Sequence, residues 1–407
     1  MTDFKQVQKM YYENKAMYLK IGGNLFTKNT TVNVCDRFGP NVTFIVDDFE
    51  NIQTVINGSD KFKLKKIGSG SYGKVYKLLK MGAISDTPTD SVIKIFDTNI
   101  ADKYYVQEVF NKYKAISRLG IDTITPCSVC IFEKKQKVVY SMYSQNGSNQ
   151  KNGLVMKNEG ITFDNLSLDD QKIRPKIKDG LIRLVKNVGV LNDKYVHFDL
   201  DISNILFTPS DNELRFTLID LDDAMEKSTN TKFRCKADIF PFEIYAISKN
   251  MNKKEIIDKV MIDNKKFNYM GLLSVIITFV LNVRWSIFVE TLANHFLASS
   301  KELTEAIKII RRDMLNMGKK FEPALAFQCI FSQKRSKYNI GNYDLNLDLS
   351  KLSIDDNELK IFVKSNCRPA FHSKIEKIFE LITGMAEIST KDRFDEKKVL
   401  MYLNEIF

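Results

Sequence analysis

The chain has 407 residues, 44% of them hydrophobic and 11% aromatic, which supplies apolar material for two filled cores and argues against intrinsic disorder. Its formal net charge of +11 would suit an anionic partner. Lys and Arg are nevertheless scattered among Asp and Glu in place of long basic runs, so nucleic acid is not the expected partner, whereas an acidic protein substrate or a nucleotide would suit the same charge.

Residues 1 to 59 read as an N-terminal extension. Phe4, Val7, Tyr11 and Tyr18 fall near helical spacing, Gly22-Gly23 ends that helix, and Val42 to Val46 reads as a strand. The first residues begin no apolar run and offer no glycine for myristoylation, so no targeting signal is expected. After the turn-rich boundary Asn57-Gly58-Ser59-Asp60, a strand from Phe62 leads into a glycine loop, a strand at Val75 to Leu79, a polar turn, and a strand at Ser91 to Phe96. A helix follows through Tyr105 to Leu119. Strand patterns near Ser128 to Glu133 and Val138 to Tyr143 lead into the polar spacer Ser144 to Asn152, and Gly153 to Lys157 makes a fifth strand.

Beyond Gly160 the pattern turns mostly helical. Ile177, Leu181, Leu184, Val185 and Val188 mark an amphipathic helix, and Ser332 to Glu358 is polar enough to read as a surface insertion. The most apolar stretch, Tyr269 to Leu281, is interrupted by Asn282 and Arg284 before it reaches the roughly 20 residues that span a bilayer, so it reads as a buried core helix and no membrane is expected. The six cysteines (Cys35, Cys127, Cys130, Cys235, Cys329, Cys367) are few and irregularly spaced, which points to a reducing, cytoplasmic setting, with the nucleus also open. Cys127 and Cys130 lack the second ligand pair that a zinc site needs, and read as buried thiols in a strand.

Three short segments carry chemistry. Gly68-Ser69-Gly70-Ser71-Tyr72-Gly73-Lys74-Val75 fits G-x-G-x-x-G-x-V and lies between two strands, whereas a dinucleotide fingerprint should open a helix. His197-Phe198-Asp199-Leu200-Asp201-Ile202-Ser203-Asn204 fits H-x-D-L-x-x-x-N, and Ile219-Asp220-Leu221-Asp222 follows where a magnesium-binding D-F-G would fall. Together these resemble the eukaryotic-type protein kinase family, over about residues 60 to 407. The richness in Lys, Asn and Ile suggests an AT-rich genome, and divergent kinases of this type occur in large DNA viruses and in parasites.

The resemblance implies an α+β class and a two-lobed protein kinase-like fold. A five-stranded antiparallel N-lobe with one helix (60 to 157) would bind ATP, and a mostly helical C-lobe (158 to 407) would carry the catalytic loop. It implies that Gly68, Gly70 and Gly73 let backbone amides approach phosphates, and that Val75 and Val92 cover adenine beside the gatekeeper Met156. Lys94 would neutralise the α and β phosphates and be held by Glu108. Asp199 would take the proton of the incoming hydroxyl, and Asn204 and Asp220 would hold Mg2+. Pro241-Phe242-Glu243 resembles A-P-E, whose glutamate would pair with Arg393. The implied reaction is transfer of the ATP γ-phosphate to Ser or Thr hydroxyls of a protein substrate.

Departures keep two alternatives open: a pseudokinase that binds nucleotide or scaffolds, and a small-molecule kinase. Asp201 stands where serine/threonine kinases carry a lysine. A cation about 4 Å from a phosphate oxygen is worth about 4 kcal/mol at an effective dielectric near 20, so its loss would slow transfer on the order of a thousandfold. Asp222 replaces the glycine of D-F-G, and Val92 replaces a common alanine. Phe198 replaces the arginine that grips a phosphorylated activation loop. Activity is therefore expected not to require phosphorylation at Ser228, Thr229 or Thr231, so phosphatase treatment of intact protein should leave the rate unchanged.

Overall fold

The structure is a computed structural model that describes residues 33–47, 52–70, 73–82, 85–97, 103–134, 150–168, 170–197, 199–226, 268–313, 322–332, 338–340, 343–347, 354–387 and 392–407. The leader helix, the Val138 to Tyr143 strand, and Pro241-Phe242-Glu243 lie outside them. Contacts divide the chain into two units. One runs to Asn111 and adds Ile124–Glu159 and Asp164–Leu166; the other comprises Lys112–Thr123, Gly160–Phe163 and Ser167–Phe407.

In the first unit, alternating apolar residues build strands whose inner faces share one core. The strands are β1 (Asn41–Val46), β2 (Thr54–Asn57), β3 (Asp60–Gly70), β4 (Gly73–Lys80), β5 (Thr87–Phe96), β6 (Pro126–Lys134) and β7 (Gln150–Lys157); α1 (Lys103–Ser117) follows β5, and its residues from Lys112 onward belong to the second unit. On β3, Phe62 and Leu64 turn inward while Lys61, Lys63 and Lys65 are exposed, the period-2 pattern of a half-buried strand. Phe62 and Leu64 join Val42, Phe44, Val46, Val55, Leu78, Ile93, Ile95, Phe132 and Val155 in that core, where Phe44 and Phe132 stack at 5.6 Å.

The sheet closes into a barrel in the order β1-β2-β3-β4-β5-β7-β6, with β1 returning to pair with β6 in parallel from Asn41↔Val129 to Val46↔Lys134. This overturns the expected two-lobed protein kinase-like fold with a five-stranded antiparallel N-lobe. The sheet has seven strands, one of its pairings is parallel, and β1 and β2 come from the segment set apart as an extension. The physical reason lies in β1, where Val42, Phe44 and Val46 are buried and Asn41, Thr43 and Asp47 are not. That apolar face needs a core, and its backbone satisfies the edge that β6 would otherwise leave open.

Cys35, in the short helical turn before β1, forms a disulfide with Cys127 of β6, with Cα atoms 5.4 Å apart. Cys127 is thus not the free strand thiol expected from sequence. Cys130, Cys329 and Cys367 are buried free thiols, and burial pushes the last two up to about 12, which keeps them neutral and unreactive. The Val34 and Cys35 amides also donate to Asp90 Oδ1 at 2.9 and 3.3 Å, fixing the same segment to β5.

The second unit is mainly helical. It contains α2 (Ile177–Lys194), the hairpin β9 (Ile205–Pro209) and β10 (Leu214–Leu218), and helices α3 (Asn268–Val280), α4 (Trp285–Ser299), α5 (Lys301–Asp313), α6 (Glu322–Phe331), α7 (Asp356–Asn366), α8 (Ile375–Ala386) and α9 (Glu396–Ile406). The two-residue strand β8 (Tyr195–Val196) pairs with β11 (Met225–Glu226) on either side of the β9–β10 hairpin, and β12 (Tyr338–Ile340) pairs with β13 (Tyr343–Leu347). Every residue of α3 is buried, as an all-round apolar helix requires. Its Phe279 meets Phe163, Phe207 and Phe216 at centroid distances of 5.4 to 6.0 Å. No helix among the described residues is long and apolar enough to cross a membrane.

The Cys35–Cys127 link closes a loop of 92 positions. Replacing Cys35 with Ser is expected to lower the stability of the barrel by about 2–4 kcal/mol, measured as the shift in chemical denaturation under non-reducing conditions. Under thorough reduction the parent protein should lose the same amount.

Candidate active site

The expected nucleotide-contacting residues of the first unit fall on the outward face of the barrel. β5 sends Ile93 and Ile95 into the core and so places Val92, Lys94 and Phe96 on the opposite side. Cross-strand pairing sets Val75 opposite Lys94 and Val92 opposite Met156, so these four residues share one patch of sheet. Lys94 is only 8% exposed, and its Nζ lies 5.4 Å from the Phe96 ring centroid. Glu108 is exposed on α1 and makes no ion pair among the described residues, so the structure does not bring it to Lys94.

The glycine motif forms the end of the β3–β4 hairpin, with Gly68 opposite Val75 and Gly70 opposite Gly73; Ser71 and Tyr72 at its tip lie outside the described residues. Gly73 has a reason to be glycine that involves no ligand. A Cβ there would sit 2.1 Å from the Ile95 carbonyl oxygen of β5.

In the second unit, the segments around Asp199 and Asp220 are joined by hydrogen bonds into one assembly. The Asn204 amide nitrogen donates to the Asp199 carboxylate at 2.8 Å and to the Asp199 carbonyl at 2.6 Å. The Asn204 carbonyl in turn accepts from the Ile219 N–H at 2.9 Å. His197, 2% exposed, accepts from the Asp199 N–H through Nδ1 at 3.3 Å and reaches the Ile219 carbonyl through Nε2 at 3.3 Å. These partners fit a neutral imidazole protonated at Nε2. The His197 N–H is held by Asn268 Oδ1 of α3 at 2.9 Å, and Asn268 donates at 2.5 Å to Asn192 of α2. α3 approaches so closely that a Cβ at Gly271 would lie 2.3 Å from the Leu200 carbonyl oxygen.

Asp220 is the single non-glycine residue with positive φ among the described residues (φ 55°, ψ 46°), a conformation that costs about 1–2 kcal/mol for an L side chain. Just past it, the Leu221 N–H donates to the Tyr113 hydroxyl at 2.9 Å, and that hydroxyl donates to Asp222 Oδ1 at 3.0 Å. Lys112 Nζ donates to the Asp222 carbonyl at 2.6 Å. Burial, then the nearby Asp222 and Asp220 carboxylates, push the Tyr113 phenol well above its usual range, so it keeps the proton it donates.

Two sequence departures thereby acquire structural roles. Asp201 caps the helical turn Ile202–Asn204, its Oδ1 accepting from the N–H and hydroxyl of Ser203, both at 2.5 Å. Asp222 is 4% exposed and anchored by Tyr113. Sequence reasoning assigns nothing to Tyr113, Lys112 or Asn268. Tyr113 falls in helical register with the buried Val106, Val109, Phe110 and Ile116 and reads as plain core. Arg393, whose expected partner Glu243 lies outside the described residues, is 1% exposed and donates from Nε to the Glu387 carbonyl at 2.9 Å.

Chemically, the assembly offers a carboxylate at Asp199 and hard oxygen donors at Asn204 and Asp220. With its nitrogen committed to Asp199, Asn204 has its carboxamide oxygen as the remaining donor atom. No group of three or more His, Cys, Asp or Glu side chains that could hold a metal occurs among the described residues. Magnesium does not require one, since it commonly takes one or two protein oxygens and completes its octahedron with phosphate and water. Asn204 and Asp220 are the residues that could supply such oxygens. No protein-family model matches this sequence, and no curated protein is significantly similar to it.

If Asp201 acts through its cap, Asp201→Ser should retain the stability of the parent while Asp201→Ala loses about 1 kcal/mol, read from denaturant midpoints. Equal losses in both would show that the carboxylate charge, not the cap, is what the turn needs.

Proposed function

We propose that this chain transfers the γ-phosphate of ATP to serine or threonine hydroxyls of protein substrates. The observation that supports this best is the Asn204 clamp. One side chain fixes the Asp199 carboxylate while its own carbonyl fixes the residue before Asp220, so a proton acceptor and two oxygen donors belong to one hydrogen-bonded unit. In the proposed step, the substrate hydroxyl oxygen forms a bond to the γ-phosphorus, the bond from that phosphorus to the ADP oxygen breaks, and the hydroxyl proton passes to Asp199. Magnesium, held by Asn204 and Asp220, would neutralise charge on the phosphates. Asn204 keeps one Asp199 oxygen engaged and so orients the other, and His197 holds the loop from behind through the Ile219 carbonyl. The resemblance would give the nucleotide Lys94, Val75, Val92 and Met156, which share one patch of sheet in the first unit.

A second reading, a scaffold that binds nucleotide without transferring phosphate, is favoured by the exposure of Glu108 and by the Lys94–Phe96 contact in place of a Lys94–Glu108 pair. Incubation of the purified chain with labelled ATP, Mg2+ and generic protein substrates, beside Asp199→Asn, separates the readings. Label should enter protein with the parent chain and fall by about 10²–10⁴-fold in the variant, the usual worth of a general base. Nucleotide binding without transfer would establish the scaffold, and label confined to small metabolites would establish a small-molecule kinase.

A further inference from the structure

We propose that Tyr113 is a positioning residue that holds Asp220 in its ligand-binding conformation through Asp222, an inference that rests on the phosphoryl-transfer reading above. A left-handed backbone at a non-glycine residue persists only where its surroundings over-determine it. On the N-terminal side of Asp220 the constraint is supplied by the loop itself, through the Asn204 carbonyl and His197. On the C-terminal side it is supplied by Lys112 and Tyr113, from the part of α1 that belongs to the same unit as Asp220. The Tyr113 hydroxyl accepts from the Leu221 N–H and donates to Asp222 Oδ1, while Lys112 Nζ holds the Asp222 carbonyl.

The pair is built for this task. Tyr113 is 1% exposed and Asp222 4%, so a phenol and a carboxylate removed from water satisfy one another and a backbone amide together. Residue 222, where the resemblance expects a glycine, supplies the acceptor without which the buried hydroxyl would lose the partner for its proton. Freedom of the backbone at 222 is exchanged for a fixed anchor, and Asp220 inherits the rigidity.

The test uses the full chain with Tyr113→Phe, Asp222→Ala and Asp222→Asn. Two readouts are taken: hydrogen exchange of the peptide covering 219 to 222, and affinity for Mn2+ in the presence of ADP by electron paramagnetic resonance. Tyr113→Phe and Asp222→Ala should each accelerate exchange and weaken Mn2+ binding by about tenfold, the scale of one lost net hydrogen bond. Asp222→Asn, which retains an oxygen acceptor, should stay close to the parent, and the Tyr113→Phe/Asp222→Ala double variant should be no worse than the worse single. If Tyr113→Phe does not fold, the contrast between Asp222→Ala and Asp222→Asn carries the same comparison. Unchanged exchange, or faster exchange with unchanged Mn2+ affinity, overturns the positioning role while leaving phosphoryl transfer intact. A parent chain that binds no Mn2+·ADP overturns both.

Discussion

The hydrogen bonds of Asn204 are the constraint on which the candidate site depends. Its side chain spans back to Asp199 and its main chain spans forward to Ile219, so one residue sets the relation between two loop segments that carry carboxylates. Such a residue has little freedom of its own, because the turn that carries it is capped by Asp201 and continues directly into β9. The enclosing layers are apolar and tightly fitted. Leu200, Ile205 and Leu221 are fully buried, and α3 presses on the loop at Gly271 with no space for a methyl group. Polar groups placed by such a shell keep their geometry without help from a ligand, which is the condition for electrostatic preorganisation.

The barrel obeys a different logic. A sheet of alternating strands with one apolar face must cover that face, and here it does so by curling until β1 meets β6. Residues on the inside become core, and those on the outside of β4, β5 and β7 become the patch that includes Lys94. The disulfide between Cys35 and Cys127 and the Asp90 hydrogen bonds fasten the entering chain to two different strands of the barrel. The early part of the chain is therefore structural in the barrel from about residue 33 onward, not an appendage to it.

Asp201 and Asp222 depart from the kinase motif in different ways: Asp201 puts a carboxylate where a lysine would meet phosphate, and Asp222 replaces a glycine whose backbone freedom the motif uses. In the fold, Asp201 spends its oxygen on the Ser203 N–H and hydroxyl and Asp222 on the Tyr113 hydroxyl, so both act as hydrogen-bond acceptors within the site's own framework.

What the sequence determined by itself was local. The spacing from Asp199 to Asn204 lies within one short turn, the burial of α3 is written in its predominantly apolar sequence, and the strand positions of Phe62 and Leu64 follow from their alternation with lysines. These features depend on neighbours a few residues away, and side-chain periodicity reports them directly. Tertiary structure alone decided the closure of the barrel, the pairing of Cys35 with Cys127, the exposed placement of Glu108 on α1, and the anchoring of Asp222 by Tyr113. Each of those joins residues far apart in the chain or selects between two faces of an element. Periodicity records that a residue is buried but not which partner it is buried against, because that choice belongs to the packing of the whole chain.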